Sequence, residues 1–218
     1  MFKKKFKKFV ATTVAALVVT GSALPFSASA QESSFSDVAV NNSHYEAIET
    51  LADWGIITGY NDGTFRPNLA INRGQTAKMI SRVYEDEGLM KQVFADVPVN
   101  LTDKELVKAA YLMNDYGIMT GTTVGSAKYL YPGKQISRQQ MAKVLVLAFE
   151  LDHVPGETST VKDLNKAIPE FREYINILSE NGVTVVDNFN PTGTVSRAQF
   201  ASFVYRALIA GGYVEFED

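Results

Sequence analysis

Three arginines stand at matching places in the 218-residue chain: Arg73 in Ile71-Asn72-Arg73-Gly74-Gln75, Arg138 in Ile136-Ser137-Arg138-Gln139-Gln140, and Arg197 in Val195-Ser196-Arg197-Ala198-Gln199. Asn or Ser followed three residues later by Gln is the capping-box spacing, in which the cap side chain and the glutamine each satisfy a backbone N–H. This puts each arginine at the first helical position, where the positive end of the helix dipole disfavours a cation. Something negative is needed there to accept the guanidinium. One choice is internal: Asp37, Asp96 and Asp163 recur with the arginines, and an Asp-Arg clamp would tie the start of a repeat to its second helix. The other is an external anion, held jointly by the guanidinium fork and the free N–H groups of the first helical turn. Local physics leans towards the internal pair, because recurring ion pairs in repeats are more often structural.

The elements that position these residues repeat as well. Phe35-Ser36-Asp37-Val38 returns as Phe94-Ala95-Asp96-Val97 and, more weakly, as Val161-Lys162-Asp163-Leu164. A proline precedes each arginine by six residues, at Pro67, Pro132 and Pro191. Between these blocks, helical segments end at Trp54-Gly55, Tyr116-Gly117 and Asn181-Gly182, with glycine as the stop signal. Tyr45, Ile48, Leu51 and Ala52 have helical spacing, as do Phe171, Tyr174, Ile175 and Leu178. In the second helices Ala77, Ile80 and Tyr84, then Ala142, Leu145 and Phe149, then Ala201, Val204 and Leu208 form core stripes. Periods of this size mark a repeat architecture. The expected divisions are repeats at 31–88, 89–153 and 154–212 with a tail at 213–218. A single copy would bury only about 60% of its unfolded surface, so three copies are expected to share one core. The polar Asp86-Glu87-Gly88 and the turn-rich stretch 152–160 read as linkers.

Composition narrows the function. The chain has 21 Lys plus Arg, 24 Asp plus Glu and no cysteine. Lys3, Lys4, Lys5, Lys7 and Lys8 all precede the first acidic residue, Glu32. Residues 1–30 have the three parts of a secretory signal: a lysine-rich start, an apolar run from Phe9-Val10 through Val18-Val19, and Ala28-Ser29-Ala30 at the expected cleavage point. A membrane anchor needs about 20 consecutive apolar residues, and Thr20, Gly21, Ser22 and Pro25 end the run early; no membrane span is expected after cleavage. The remaining 188 residues then carry 21 minus 5 basic groups against 24 acidic ones, a net charge of -8. An acidic chain argues against nucleic acid, whose binders neutralise phosphates with Lys and Arg. Zero cysteine excludes thiolate nucleophiles and cysteine-ligated metals, and points to the outside of a cell that lacks an oxidising folding system.

The quoted motifs resemble the S-layer homology family, whose repeat runs Phe-x-Asp, aromatic-Gly-Ile-x-x-Gly, Gly-x-Phe-x-Pro, then hydrophobic-Thr/Ser-Arg-Ala-Glu. Repeat 1 is similar throughout: Phe35-Ser36-Asp37, Trp54-Gly55-Ile56-Ile57-Thr58-Gly59, Asp62-Gly63-Thr64-Phe65-Arg66-Pro67 and Ile71-Asn72-Arg73-Gly74-Gln75. The resemblance implies an all-α protein of three tandem helix-loop-helix repeats in a pseudo-threefold assembly. It implies that grooves between repeats bind secondary cell-wall polysaccharide and attach a protein non-covalently to a Gram-positive-type wall. Family ligands often end in pyruvylated N-acetylmannosamine, whose carboxylate would suit Arg73, Arg138 or Arg197, with Asp37, Asp96 and Asp163 nearby. Trp54 could stack on a sugar ring, and Gly59 and Gly121 would permit close backbone approach. Repeat 2 departs with Tyr116 and with Thr122-Thr123-Val124-Gly125-Ser126 in place of the Asp62-Gly63 turn, and repeat 3 has Asn181 and Val186 in place of Trp54 and Gly59. Repeat 3 is therefore expected to be a weak binder or purely structural. Gln75, Gln140 and Gln199 stand where the family usually has Glu, which keeps the cap and removes a carboxylate.

Other chemistries fit poorly. Tyr60-Asn61-Asp62-Gly63-Thr64 lacks the ligand spacing of a calcium loop, because Thr58 and Tyr60 occupy the required positions. His44 and His153 are the only histidines, one near a helix start and one in a linker, which disfavours a metal site or a Ser-His-Asp triad. No acidic pair outside the repeats suggests a glycosidase. The expectation is a binding module, not an enzyme, with no metal and no cofactor. The alternative is a secreted structural or interaction protein of the surface layer that binds other surface proteins.

Overall fold

The computed structural model describes residues 4–12, 33–85, 88 and 90–217. Most of the expected leader, including Ala28-Ser29-Ala30, lies outside the described residues, as do Asp86 and Glu87 of the first linker. Among the described residues six α-helices carry the fold: α1 (Tyr45–Asp53), α2 (Arg73–Ser81), α3 (Lys104–Asp115), α4 (Arg138–Phe149), α5 (Pro169–Glu180) and α6 (Arg197–Ala210). The fold is mainly helical, with two small sheets. Strands β2 (Thr122–Val124) and β3 (Ala127–Tyr129) form an antiparallel hairpin in the stretch that departs from the Asp62-Gly63 turn. Strand β1 (Phe9–Thr12) pairs in parallel with β4 (Val214–Glu217).

Helix ends follow the local chemistry. Asn72, Ser137 and Ser196 each complete a capping box with Gln75, Gln140 and Gln199. The first helices stop at Gly55, Gly117 and Gly182, all with positive φ. In each stop the residue after the glycine turns inward and donates to a carbonyl five residues back, as Ile56 does to Leu51, closing orphan acceptors of the last turn.

Packing between repeats dominates packing within them. Helix α2 packs on α3, α4 on α5, and α6 returns to α1, so the chain closes on itself. The expected stripes are interior: Ile48, Leu51, Ala77, Ile80, Ala142, Leu145, Val204 and Leu208 are all fully buried, and Tyr45, Ala52 and Tyr174 pack at the edge. Tyr84 is buried too, but beyond the end of α2, where it bridges to Phe6. On the central axis, isolated bridges join Ala70 to Ser196, Asn72 to Gln135 and Ser137 to Thr194. Ile71, Ile136 and Val195 meet there with no exposed surface.

Candidate functional site

The start of each second helix is plugged into the next repeat. In α2, Arg73 N donates to Lys134 O at 2.9 Å and Gly74 N to Pro132 O at 2.8 Å. In α4, Arg138 N donates to Gly193 O and Gln139 N to Pro191 O; in α6, Arg197 N donates to Leu69 O and Ala198 N to Pro67 O. The recurring proline therefore supplies a carbonyl to the preceding repeat, and repeat 3 hands back to repeat 1. The N–H groups expected to be free for an external anion are taken by this backbone and by the capping side chains.

The guanidiniums follow the same ring. Arg73 Nε donates to Leu130 O at 2.6 Å, Arg138 Nε to Phe189 O, and Arg197 Nε to Phe65 O at 2.7 Å with a second bond to Thr58 O at 2.9 Å. Arg138 and Arg197 are only 8% and 3% exposed, whereas Arg73 is half-buried. Their side chains also lie over aromatic faces, Arg138 on Phe189 and Arg197 on Phe65 and Tyr60. Burial pushes each arginine pKa down, opposed by Asp96 at Arg73 and by Asp163 at Arg138. At Arg197 the opposing groups are Tyr60 and Asp37.

The aspartates bond turn backbone of their own repeat, not the arginine expected to clamp them. Asp37 accepts from Phe65 N and Arg66 N at 2.7 and 2.8 Å; Asp96 accepts from Leu130 N and Tyr131 N, and Asp163 from Phe189 N and Asn190 N. The second residue of each pair, Arg66, Tyr131 or Asn190, has φ of 58°, 54° or 54°, left-handed backbone that costs a non-glycine residue free energy. Each carboxylate holds that strained residue, and the carbonyl before it is the one an arginine of the preceding repeat captures. Among the described residues no Asp-Arg ion pair joins these groups within one repeat. Two turn N–H groups take each carboxylate, and a turn carbonyl of the next repeat takes each guanidinium. Arg66, Tyr131 and Asn190 share no side-chain type, which is why the sequence did not reveal them.

Gly59 and Gly121 are covered by the phenylalanines of the Phe-x-Asp blocks. A Cβ on Gly59 would sit 2.5 Å from a Phe35 ring carbon, and one on Gly121 2.5 Å from the Phe94 ring. In repeat 3 the ring is Val161 and the glycine is Val186, both changed together. Trp54 is partly buried: Nε1 donates to Val10 O at 3.0 Å, with Phe9 against its ring and Tyr205 at 6.2 Å.

Two hollows meet at Thr58 and Gly59. A small one of about 190 Å³ is lined by Tyr60, Gln75, Lys78, Arg82, Glu105 and Arg197 among others. Lys78 pairs with Asp103 at 2.9 Å and Arg82 with Glu105 at 2.7 Å. A wider groove of about 1140 Å³ runs past Trp54, Tyr45, Tyr205, Glu46 and Glu49. Lys78, Arg82 and Tyr60 were missed from sequence because they lie outside the threefold motif blocks: Lys78 recurs only as Lys143, Arg82 only as Arg206, and Tyr60 in neither other copy. The arrangement offers guanidinium and ammonium groups beside the Tyr60 ring, a setting that can hold an anionic group. Among the described residues no cluster of metal-ligating side chains is present, and no helix is long and apolar enough to cross a membrane.

These features define a closed ring of three helix-turn-helix repeats, each locked to the next by an arginine and a turn carbonyl. The S-layer homology domain model matches residues 34–77 and 162–201, and the chain belongs to that family. The middle repeat has the same capping box, arginine and aspartate geometry. The chain is similar to the surface-layer 125 kDa protein of Lysinibacillus sphaericus, 29% identical over 212 residues, covering 94% of this chain and 17% of that protein. It is 32% identical over 206 residues to S-layer protein EA1 of Bacillus anthracis, covering 91% of this chain and 22% of that protein. An endoglucanase of Bacillus sp. (strain KSM-635) is 34% identical over 116 residues, 53% of this chain and 12% of the enzyme. The chain thus spans about a fifth of the length of the surface-layer relatives it matches. Family and relatives support a place at the cell surface and an anchoring role.

Proposed function

We propose that the chain is an exported, non-catalytic module that holds a protein to the cell wall by binding an anionic secondary wall polysaccharide in the seam between repeats 3 and 1. The observation that carries this reading is the small hollow at Gly59, where Lys78 and Arg82, each paired on one side with Asp103 or Glu105, keep charge at the surface beside the fold-committed Arg197. A pyruvylated sugar would place its carboxylate there, and the following sugars would lie along the wider groove past Trp54. Arg73 is the other candidate ligand group, because it is half-buried and spends one bond on the fold. Arg138 and Asp163 are committed to closing the ring, and the seam at Val186 lacks both glycine and tryptophan, so it contributes least. Asp37 and Asp96 act by shaping the turns that carry the seam.

The test is sedimentation of the protein with purified walls that carry their polysaccharide and with walls stripped of it. Binding only to the first, weakened by Lys78→Ala or Arg73→Ala at unchanged helix content, is the expected result. A protein that stays in the supernatant with both defeats the proposal. Equal binding to both points to a protein partner in the surface layer.

A further inference from the structure

Residues 4–12 fill a strand-shaped groove on the body of the protein. On one edge Lys7 N donates to Val83 O at 3.0 Å and Glu85 N to Lys5 O at 2.9 Å, around the antiparallel bridge from Phe6 to Tyr84. On the other, Phe9 N donates to Tyr213 O at 3.2 Å and β1 runs parallel to β4, Phe9 opposite Val214 and Val10 opposite Glu215. Two rings anchor the segment. Phe6 stacks on Tyr213 at 4.0 Å and leans on Tyr84 at 4.8 Å, and Phe9, only 5% exposed, packs on Trp54 at 5.0 Å. Charge follows the same line: Lys8 meets Glu215 at 2.7 Å and Lys4 meets Glu150 at 3.3 Å. The groove is built by repeat 1 (Trp54, Val83 to Glu85), repeat 2 (Glu150) and the stretch after repeat 3, and none of it is a wall-glycan element except Trp54.

A segment with the composition of a secretory signal is not retained in an exported protein. Its removal would uncover two unpaired backbone edges and the faces of Tyr84, Tyr213 and Trp54, an apolar surface with exposed strand hydrogen-bonding groups that favours strand addition. We propose that the exported protein uses this groove to accept an extended segment of another polypeptide, one carrying two aromatic residues three apart and flanked by lysine or arginine. The proposal rests on loss of residues 1–30, and it shares Trp54 with the proposed glycan path, so a bound segment and the glycan would compete there. The partner's rings would take the Phe6 and Phe9 places, its backbone would pair with β4 and with Val83 to Glu85, and its cations would meet Glu150 and Glu215.

Trp54, the one tryptophan in the sequence, reports on the groove. A specific protease site inserted between residues 13 and 32 lets the already folded full chain be cut without asking a truncated chain to fold. After the cut and removal of the released fragment, Trp54 emission should shift to the red. Adding a synthetic peptide of residues 4–12 should restore it with a saturable curve, whereas the same peptide with both Phe6 and Phe9 replaced by Ser, which keeps every lysine, should bind about 100-fold more weakly or not at all. The uncut chain, its groove already filled, should respond to neither. A cut that leaves the emission unchanged, or a serine peptide that restores it as well as the aromatic one, overturns the proposal. Wall sedimentation of the same cut protein without peptide reads the glycan proposal on its own, so the two ideas fail separately.

Discussion

Replacing Arg197 and Arg73 by alanine separates the fold-closing role of these arginines from a ligand role. Arg197 is 3% exposed and gives two charge-assisted bonds, to Phe65 O and Thr58 O. Hydrogen bonds from a charged donor contribute about 1.5–3 kcal/mol each, so removing both costs about 3–6 kcal/mol. That is a large share of a total stability of about 5–15 kcal/mol. With a urea slope of about 2 kcal/mol per molar, a loss of about 4 kcal/mol moves the unfolding midpoint down by about 2 M. Arg73 gives one bond, to Leu130 O, from a half-buried position. Water can replace it, and Arg73→Ala should cost about 1–2 kcal/mol. Arg197→Lys should recover only part of the loss, because an ammonium on a flexible stem cannot fork between two carbonyls. The assay is urea unfolding followed by circular dichroism. Equal and small shifts for Arg197→Ala and Arg73→Ala would refute the carbonyl-capture account and return Arg197 wholly to the ligand.

Three further outcomes follow from the geometry. Thr184 is 3% exposed at the position of Ile57 and Met119, and its hydroxyl finds no partner among the described residues; Thr184→Val should stabilise by about 1 kcal/mol in thermal or urea unfolding. Gly121 has φ of 72°, and a Cβ there would meet both the Phe94 ring and Tyr129 O, so Gly121→Ala should destabilise by about 1–3 kcal/mol through left-handed strain and overpacking, and a neutral result in urea unfolding would refute this close packing. His153 in the second linker lies between Glu173 at 2.7 Å and Glu180 at 2.6 Å, whose hydrogen bonds raise its pKa to about 8. Because the folded value lies above the ordinary value of 6.5, the clasp contributes fully below about pH 6.5 and its contribution is lost as pH rises through about 8. An NMR titration of His153 should give that midpoint, and His153→Asn should remove this part of the pH dependence of stability; titration near 6.5 would dismiss the clasp.

What the sequence alone determined is local. Capping boxes, glycine stops and apolar stripes depend on neighbours three or four residues away, so Asn72 with Gln75, Gly55 after Trp54, and Ile48 with Leu51 could all be read directly. The same nearness made the arginine at the first helical position visible as an anomaly. Which acceptor resolves it could not be read, because the two groups lie far apart in the chain: Arg197 bonds Phe65, 132 residues away. Only the closed ring decides that the partner is a carbonyl of the next repeat, that Asp37 holds the turn presenting it, and that Gly59 is small because Phe35 lies on it. The paired change to Val161 and Val186 was visible in the sequence, but its meaning was not. Tertiary structure also gave three equivalent arginines unequal freedom: burying Arg138 and Arg197 commits them to the fold, while Arg73, Lys78 and Arg82 keep charge at the surface of the seams.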